Sequence, residues 1–367
     1  MNVYVAMSGG IDSSFVAYLL KNNLKNNCFN GYNNIEKIIG ITMFLGDSCN
    51  SVDKVRKICD FLQIDFEVID LQKEFEKEVI KNFNKEIERN ITPIPCVECD
   101  KNIKLGQLLG YCNSKNSLLA TGHYANIIQN SKTDEYEIHK AKDVLKDQTH
   151  FLNQINKNNL PYILFPLGKI LKSDVYRLSK ENGLIDVIEE LQQKKYSESQ
   201  DVCFFQNKTY GEYIKSLNIK QLAGEIRHIA TNQILGQHNG LIQYTIGQRQ
   251  GLGIAWKEPL YVVKKNTNNN ILYVGEENCL YSNKLSIKNV NLLFNNYNNI
   301  VNNNILNCQV CLRDKTPLIE AEIELINNKN NKIDGIVKLK QKARAITSGQ
   351  NCVFYKGTRL LGGGEIK

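Results

Sequence analysis

Read alone, the sequence predicts an α/β chain: a Rossmann-like, doubly wound, mainly parallel sheet, then a small central domain and a C-terminal β-barrel. Three observations predict it. Residues 1–125 alternate apolar, β-rich runs with stretches of helical periodicity. The first of these runs, residues 3–7, passes through Ser8-Gly9-Gly10 straight into a helical pattern. After about residue 280, short alternating runs separated by turns replace the helical period. At 367 residues the chain exceeds one ordinary core. Composition shifts divide it into 1–206, 207–278 and 279–367.

Taken in order, Phe15, Val16, Leu19 and Leu20 mark the buried face of the first helix. Residues 38–43 read as a second strand. Val52, Val55, Ile58, Cys59 and Leu62 line the next helix, and residues 66–71 form a third strand. Phe75, Val79, Phe83 and Ile87 repeat at i+4 along a longer helix, and residues 118–121 form a short buried strand ending at Gly122. In such sheets ligands sit at the carboxyl ends of the strands. Ser8, Met43 and Gly122 all fall at such ends. Ser173 reads as the N-cap, and Gly183 as the C′ residue, of a later helix. In the tail, residues 285–292, 307–312, 320–326 and 336–339 read as strands.

The charged fraction of 23% and the apolar fraction of 42% belong to a globular protein, and no apolar run is long enough to span a membrane. Because residues 1–7 read as a core strand, no leader peptide is expected and the cytoplasm is the expected compartment. The formal charge of +8 is compatible with a polyanionic partner without requiring one. Eleven cysteines at irregular spacing exclude a disulfide scaffold in a chain of this size. Most are expected to be small buried hydrophobes, Cys59 among them.

The turn Ser8-Gly9-Gly10-Ile11-Asp12-Ser13-Ser14 carries the first chemistry. Helix-start N–H groups beside glycines cradle phosphate, three serines add hydroxyl donors, and Asp12 is an acceptor suited to a nucleotide-borne metal ion. It lacks the lysine of a Walker A loop and the three spaced glycines of the dinucleotide fingerprint. It resembles the PP-loop of ATP pyrophosphatases, which cut ATP between the α- and β-phosphates.

Cys96-Val97-Glu98-Cys99 follows Thr92-Pro93-Ile94-Pro95 on what reads as a proline-stiffened exposed turn. A lone CxxC leaves zinc, a redox pair and a nucleophile open, and Lys101 and Lys104 are placed to lower a thiol pKa. Cys203, before Phe204-Phe205, reads equally as a core residue or a reactive thiol. His123 follows a strand end, and Lys146-Asp147-Gln148 forms a polar turn. Lys338, Lys340, Lys342 and Arg344 alternate along one strand, which puts their charges on one sheet face suited to a phosphate backbone.

Together these residues resemble the tRNA-specific 2-thiouridylase family over nearly the whole chain. The matching blocks are collinear: residues 6–14, 92–104, 120–125, 146–148, 165–168, 199–204, 244–253 and 343–364. The resemblance implies ATP-dependent adenylation of the C2 oxygen of the wobble uridine in tRNAs for Lys, Glu and Gln, then sulfur transfer to C2. Cys203 matches the family's persulfide cysteine and Cys99 its second catalytic cysteine, with a transient Cys99–Cys203 disulfide implied. Ala6, Met7, Ser8, Gly9, Gly10, Ile11, Asp12, Ser13, Met43 and Gly122 match ATP-contacting positions, with Mg2+ accompanying the ATP. Ile94, Pro95 and Cys96 match the segment that holds the target base. Lys146, Asp147 and Gln148 match a tRNA-contacting loop, as do His123, Arg313, Asp314 and Gln350. No resident metal site is implied. The partners implied are tRNA and a cysteine desulfurase or sulfur-relay protein, with the enzyme itself a monomer. Four positions depart from the family pattern: Ile94 for Asn, Asp100 for Asn, His150 for Tyr and Ser348 for Pro. Another PP-loop adenylating enzyme, such as a synthetase or lysidine-type ligase, would not need both cysteines. A non-catalytic RNA-binding module would need neither the cysteines nor an intact Ser8–Ser13 turn.

Overall fold

The computed structural model describes residues 1–26, 35–46, 51–192, 202–206, 208–295, 301–302, 304–328, 330 and 332–367. Strands β1 (Asn2–Ala6), β2 (Lys37–Phe44), β3 (Asp65–Asp70) and β4 (Leu118–Ala120) come first. A hairpin of β5 (Ala125–Gln129) and β6 (Tyr136–Lys140) precedes β7 (Ile163–Leu164). The first sheet has the order β3-β2-β1-β4-β7, and all four pairings are parallel. Strand order reverses beside β1, so the crevice past the carboxyl ends of β1 and β4 is the switch point where such sheets take ligands.

Strand β1 is buried and apolar-rich from Val3 to Val5 because both of its faces are covered there. Tyr4 packs in a core with Phe75, Val79, Phe83 and Ile87, whereas Val3 and Val5 join Phe15, Val55 and Ile58 on the other side. Helices α1 (Ile11–Asn26) and α2 (Val52–Leu62) supply that second side. The i+4 series is buried as its spacing predicts, but its helix changes winding: α3 (Gln72–Phe75), π-helical turns at Glu76–Ile80, then α4 (Lys81–Glu88). The expected turn at 93–99 is instead helical, with α5 (Pro95–Glu98) running into π-helical turns at Cys99–Leu108 and then α6 (Leu109–Ser114). Pro95 is buried at the first helical position, where its missing N–H is no loss.

Helices α7 (Lys172–Glu181), α8 (Leu184–Gln192) and α9 (Tyr210–Ser216) follow. Ser173 does not cap α7. The helix starts two residues earlier than a Ser173 cap would place it, behind Leu171, and the Lys172 N–H donates to the Asp143 carboxylate at 2.9 Å. A distant side chain takes the capping role, which local sequence cannot show. Gly183 does sit just past the helix, with φ +73.

The middle of the chain folds β8 (Gly224–His228), β9 (Ile234–His238), β10 (Tyr261–Asn266) and β11 (Ile271–Gly275) into a sheet of order β10-β11-β8-β9. It lies over a small core including Ile226, Val262, Leu272 and Val274. The tail has β12 (Tyr281–Leu292), the short β13 (Val301–Asn302), β14 (Ile305–Cys311), β15 (Ile319–Asn327), β16 (Ile333–Arg344), β17 (Asn351–Lys356) and β18 (Arg359–Ile366). Strands β12-β16-β15-β14-β17-β18 are antiparallel and β18 pairs back to β12, closing a six-stranded barrel with its own core. Closure removes exposed strand edges. Strand β6 pairs with β18, so the first part of the chain lends a hairpin to the barrel, fastened by Arg359 to Glu137 at 2.7 Å. Among the described residues no helix is long and apolar enough to cross a membrane.

Candidate active site

The turn after β1 is organised by its own residues. The Ser8 N–H donates to Ser13 Oγ at 3.2 Å, and the hydroxyls of Ser13 and Ser14 donate to the Gly10 carbonyl at 3.2 and 2.8 Å. Gly9 has φ +74, and a Cβ there would meet Lys54 Cδ at 2.8 Å. Gly122 closes the turn from β4, since a Cβ on it would stand 3.0 Å from the Ser13 nitrogen and 3.3 Å from Asp12. A backbone nest narrowed by glycines, lined with hydroxyls and set at the switch point fits a polyphosphate. Ala6 and Met7 lead into the nest, Ile11 anchors its helix in the core, and Met43 is half-buried near the end of β2. Asp12 accepts from Lys172 Nζ at 2.6 Å and from the Tyr124 hydroxyl at 2.8 Å. Sequence reasoning missed Lys172 and Tyr124, because separations of 160 and 112 residues leave no local signal.

His123, one residue beyond Gly122, reaches the thiol segment. His123 Nε2 lies 3.3 Å from Asp100 Oδ1, and Lys104 Nζ lies 2.7 Å from the same oxygen. Asp100 is only 2% exposed. Burial would push its carboxyl up, but Lys104 and His123 outweigh that and hold it down at about 2. Burial would strip Lys104 of its proton, but Asp100 and then Cys99 and Cys96 keep it charged, with its pKa above the ordinary value. One ammonium thus acts on both thiols of the CxxC, but the lowered thiol pKa expected from Lys104 is not reached at Cys96, where desolvation by the surrounding protein outweighs it. Lys101 is exposed and lines the cleft described below.

The two thiols differ. Cys99 is 8% exposed, whereas Cys96 is exposed on the first turn of α5. The protein around Cys96 raises its thiol above the ordinary value, with Lys104 opposing and Asp100 adding to the rise. Cys203 is also exposed, on a tight turn over Cys203–Phe205. Its neighbours are buried: Phe204 meets Phe83 at 5.5 Å, and Phe205 stacks on Tyr213 at 4.5 Å. The apolar pair after Cys203 therefore anchors the turn and leaves the thiol outside. Cys59 and Cys112, by contrast, are fully buried, and burial pushes both thiols up to about 12. The polar stretch leading to Cys203, residues 193–201, lies outside the described residues.

A cleft of about 590 Å³ opens between α4, the 93–101 segment and the barrel, with Phe83, Ile94, Pro95, Glu98, Lys101 and Asn351 in its walls. Its position is set by the barrel. The Thr92 N–H donates to the Ser348 carbonyl at 3.1 Å, Gln350 Nε2 donates to the Thr92 carbonyl at 2.9 Å, and a Cβ on Gly349 would strike Ile91 at 2.3 Å. Gln350 is thus brought to Ile94, Pro95 and Cys96.

The other expected tRNA contacts form a second group. Gln148 is bound through its backbone N–H and its side chain to the Tyr124 backbone, both at 2.9 Å. Asp147 accepts from Ala141 N–H at 2.8 Å and from Thr149 at 2.6 Å. These two side chains build the loop, leaving its tip at Val144 and Leu145, 73% and 78% exposed, beside Lys146. Asp314 feels the Asp147 charge, which adds to the upward push of burial on its carboxyl, so the 313–314 turn sits beside the loop. Arg313 projects into solvent. The basic stripe on β16 is exposed, but the neighbouring strand sets Glu320, Glu322 and Glu324 beside it, and Lys340 pairs with Glu322 at 2.6 Å. Much of that face is charge-neutral, contrary to a purely phosphate-seeking stripe.

Three family models cover the chain: a tRNA methyl transferase HUP domain over residues 1–207, a tRNA methyl transferase PRC-barrel domain over 211–276 and an aminomethyltransferase β-barrel domain over 282–366. The tRNA-specific 2-thiouridylase MnmA of Rickettsia prowazekii is 37% identical over 99% of this chain and 98% of its own. That of Rickettsia felis is 37% identical over 99% of this chain and 96% of its own. The chain belongs to the tRNA-specific 2-thiouridylase family. The departures from the 2-thiouridylase pattern can now be placed. Asp100 is the shared partner of Lys104 and His123. The Ser348 carbonyl ties the barrel to Thr92, and Ile94 lines the cleft. His150 is 2% exposed, neither ring nitrogen has a hydrogen-bond partner among the described residues, and burial lowers its pKa to about 4.

Proposed function

We propose that this chain is a tRNA 2-thiouridylase that activates and thiolates the wobble uridine at one site. The observation that carries this reading is the pair Gly122-His123: the first touches the phosphate turn at Asp12 and Ser13, the second touches Asp100 beside Cys99. Activation and thiol chemistry therefore meet across two consecutive residues. The catalytic part is residues 1–206, with 207–278 and 279–367 holding the RNA, in the cytoplasm.

ATP, bound with Mg2+, supplies the adenylyl group that makes the C2 oxygen a leaving group. The turn from Ala6 to Ser13, with Gly122 and Met43, grips it, and Lys172 holds Asp12 in position. The cleft at Ile94, Pro95 and Cys96 receives the base, while Lys146, Arg313 and Gln350 position the tRNA. Cys203, exposed on its turn, accepts sulfur as a persulfide from a desulfurase or relay protein, and the terminal sulfur attacks C2 as AMP leaves. Cys99 thiolate then attacks Cys203 Sγ, which frees the 2-thio group and leaves a Cys99–Cys203 disulfide. Incubation with unmodified tRNA for Lys, Glu or Gln, ATP-Mg2+ and a desulfurase should yield 2-thiouridine and AMP. ADP in place of AMP overturns the activation step. Cys203→Ser should lower thiolation by at least about 10³-fold while changing the tRNA Kd little; a Cys203→Ser enzyme still active with the desulfurase overturns the persulfide role.

A further inference from the structure

We propose that Cys96 is the resolving thiol of the cycle: it attacks Cys99 Sγ in the Cys99–Cys203 disulfide and passes the oxidation to a Cys96–Cys99 disulfide at the protein surface. This rests on the reaction sequence above.

The geometry supports it on three counts. Cys96 and Cys99 are three residues apart at the start of one helical run, so they share a face, with Cβ atoms about 5–6 Å apart. Disulfides span Cα separations of about 4.4–6.8 Å, a range the same turn satisfies, so closing the bond needs only a small approach of the two Cβ atoms. The accessibilities differ: Cys99 is 8% exposed and closed to a bulky reductant, whereas Cys96, like Cys203, is exposed, so transfer to Cys96 frees Cys203 for the next sulfur while the reductant acts elsewhere. Finally, the Lys104 ammonium, fixed by Asp100 at 2.7 Å, acts on Cys96 and Cys99, so it stabilises Cys96 as the attacking thiolate and Cys99 when the reductant later releases it.

The exchange balances. Cys96, exposed to solvent, passes its proton to water and its thiolate forms an S–S bond to Cys99; the Cys99–Cys203 bond breaks and Cys203 leaves as a thiolate, ready for the next sulfur. No net oxidation occurs in this step. A dithiol reductant, small or proteinaceous, then attacks exposed Cys96 Sγ, donates two electrons and leaves as a disulfide.

Two measurements test this. In the full-length enzyme turning over with tRNA, ATP-Mg2+ and a desulfurase, acid quench, alkylation and peptide mass mapping should find Cys96–Cys99 in wild type. The Cys96→Ser enzyme should instead accumulate Cys99–Cys203, and its ratio of steady-state to single-turnover rate should fall at least tenfold. An unchanged ratio, or no Cys96–Cys99 peptide in wild type, overturns the proposal. The second measurement is independent of the reaction sequence. Cys203→Ser protein equilibrated with oxidised dithiothreitol should form Cys96–Cys99, seen as a loss of two hydrogens and protection of both thiols; failure to form it overturns the resolving role. If Cys96–Cys99 forms there but wild type makes no 2-thiouridine, the reaction sequence has failed rather than the pair.

Discussion

The phosphate turn and the thiol segment lie side by side but are built in opposite ways. The backbone of the turn at residues 8–14 is closed by hydrogen bonds between residues no more than five apart, among them Ser8 with Ser13 and Ser14 with Gly10, and distant Lys172 and Tyr124 add only the hold on the Asp12 side chain. The thiol segment is held from a distance, by His123 from the end of β4 and by the 348–350 loop from the barrel, some 258 residues away in the case of Gln350. A locally closed loop tolerates change elsewhere, whereas a segment positioned by two distant partners fails when either of them moves. Phosphate binding and thiol chemistry should therefore be separable by mutation, although they share a crevice.

The largest effect should come from breaking the buried charge cluster. Asp100→Leu leaves Lys104 without its carboxylate and should cost about 3–5 kcal/mol of stability, read by denaturant unfolding. Asp100→Asn, which keeps the shape, should cost clearly less. Gly349→Val comes next. Its side chain would enter space occupied by Ile91 and the Thr92 backbone at a residue with φ +87. It should lower thiolation by about 100-fold through misplacement of the segment, with ATP affinity nearly unchanged in equilibrium binding. Equal losses of both would show that the two regions are not independent.

Gly122→Val is the converse test: crowding Ser13 and Asp12 should weaken ATP binding by about 10-fold or more, while alkylation of Cys96 keeps its wild-type rate. A comparable effect is expected from acid. His150 stays neutral in the folded state down to about pH 4, whereas the unfolded chain takes up that proton near pH 6.5. Its contribution is therefore nil above pH 6.5 and becomes destabilising as the pH falls from 6.5 towards 4, by about 2 kcal/mol at pH 5. His150→Phe should flatten that part of the stability curve in urea unfolding against pH. The smallest change is Arg313→Ala, which should reduce the slope of log Kd for tRNA against log salt by at most about 1. Lys340→Ala should change it less, because Glu322 already holds Lys340.

The parts of this protein that were legible in its sequence are those made by neighbours. The parallel sheet follows from apolar runs buried on both faces, and the phosphate turn from glycines and serines whose hydrogen bonds close within one turn of chain. The exposure of Cys203 was only half legible: Phe204 and Phe205 announced a buried patch, but packing on Phe83 and Tyr213 decided that the cysteine itself stays outside. The Ser173 cap failed because Asp143 satisfied the helix end from elsewhere. The basic stripe on β16 was real as a pattern, and its neutralisation by β15 came from strand register.

Local spacing by itself determined the opening strand, the nest of N–H groups after it and the CxxC on one short stretch, because each depends on interactions over a few residues. Only the tertiary structure decided that Lys172 would hold Asp12, that Asp100 would bind both Lys104 and His123, and that the barrel would press on Thr92. These are contacts of buried charge and close packing between distant segments. Their energy comes from excluding water around groups that must then find one another, and a linear sequence does not state which groups those are.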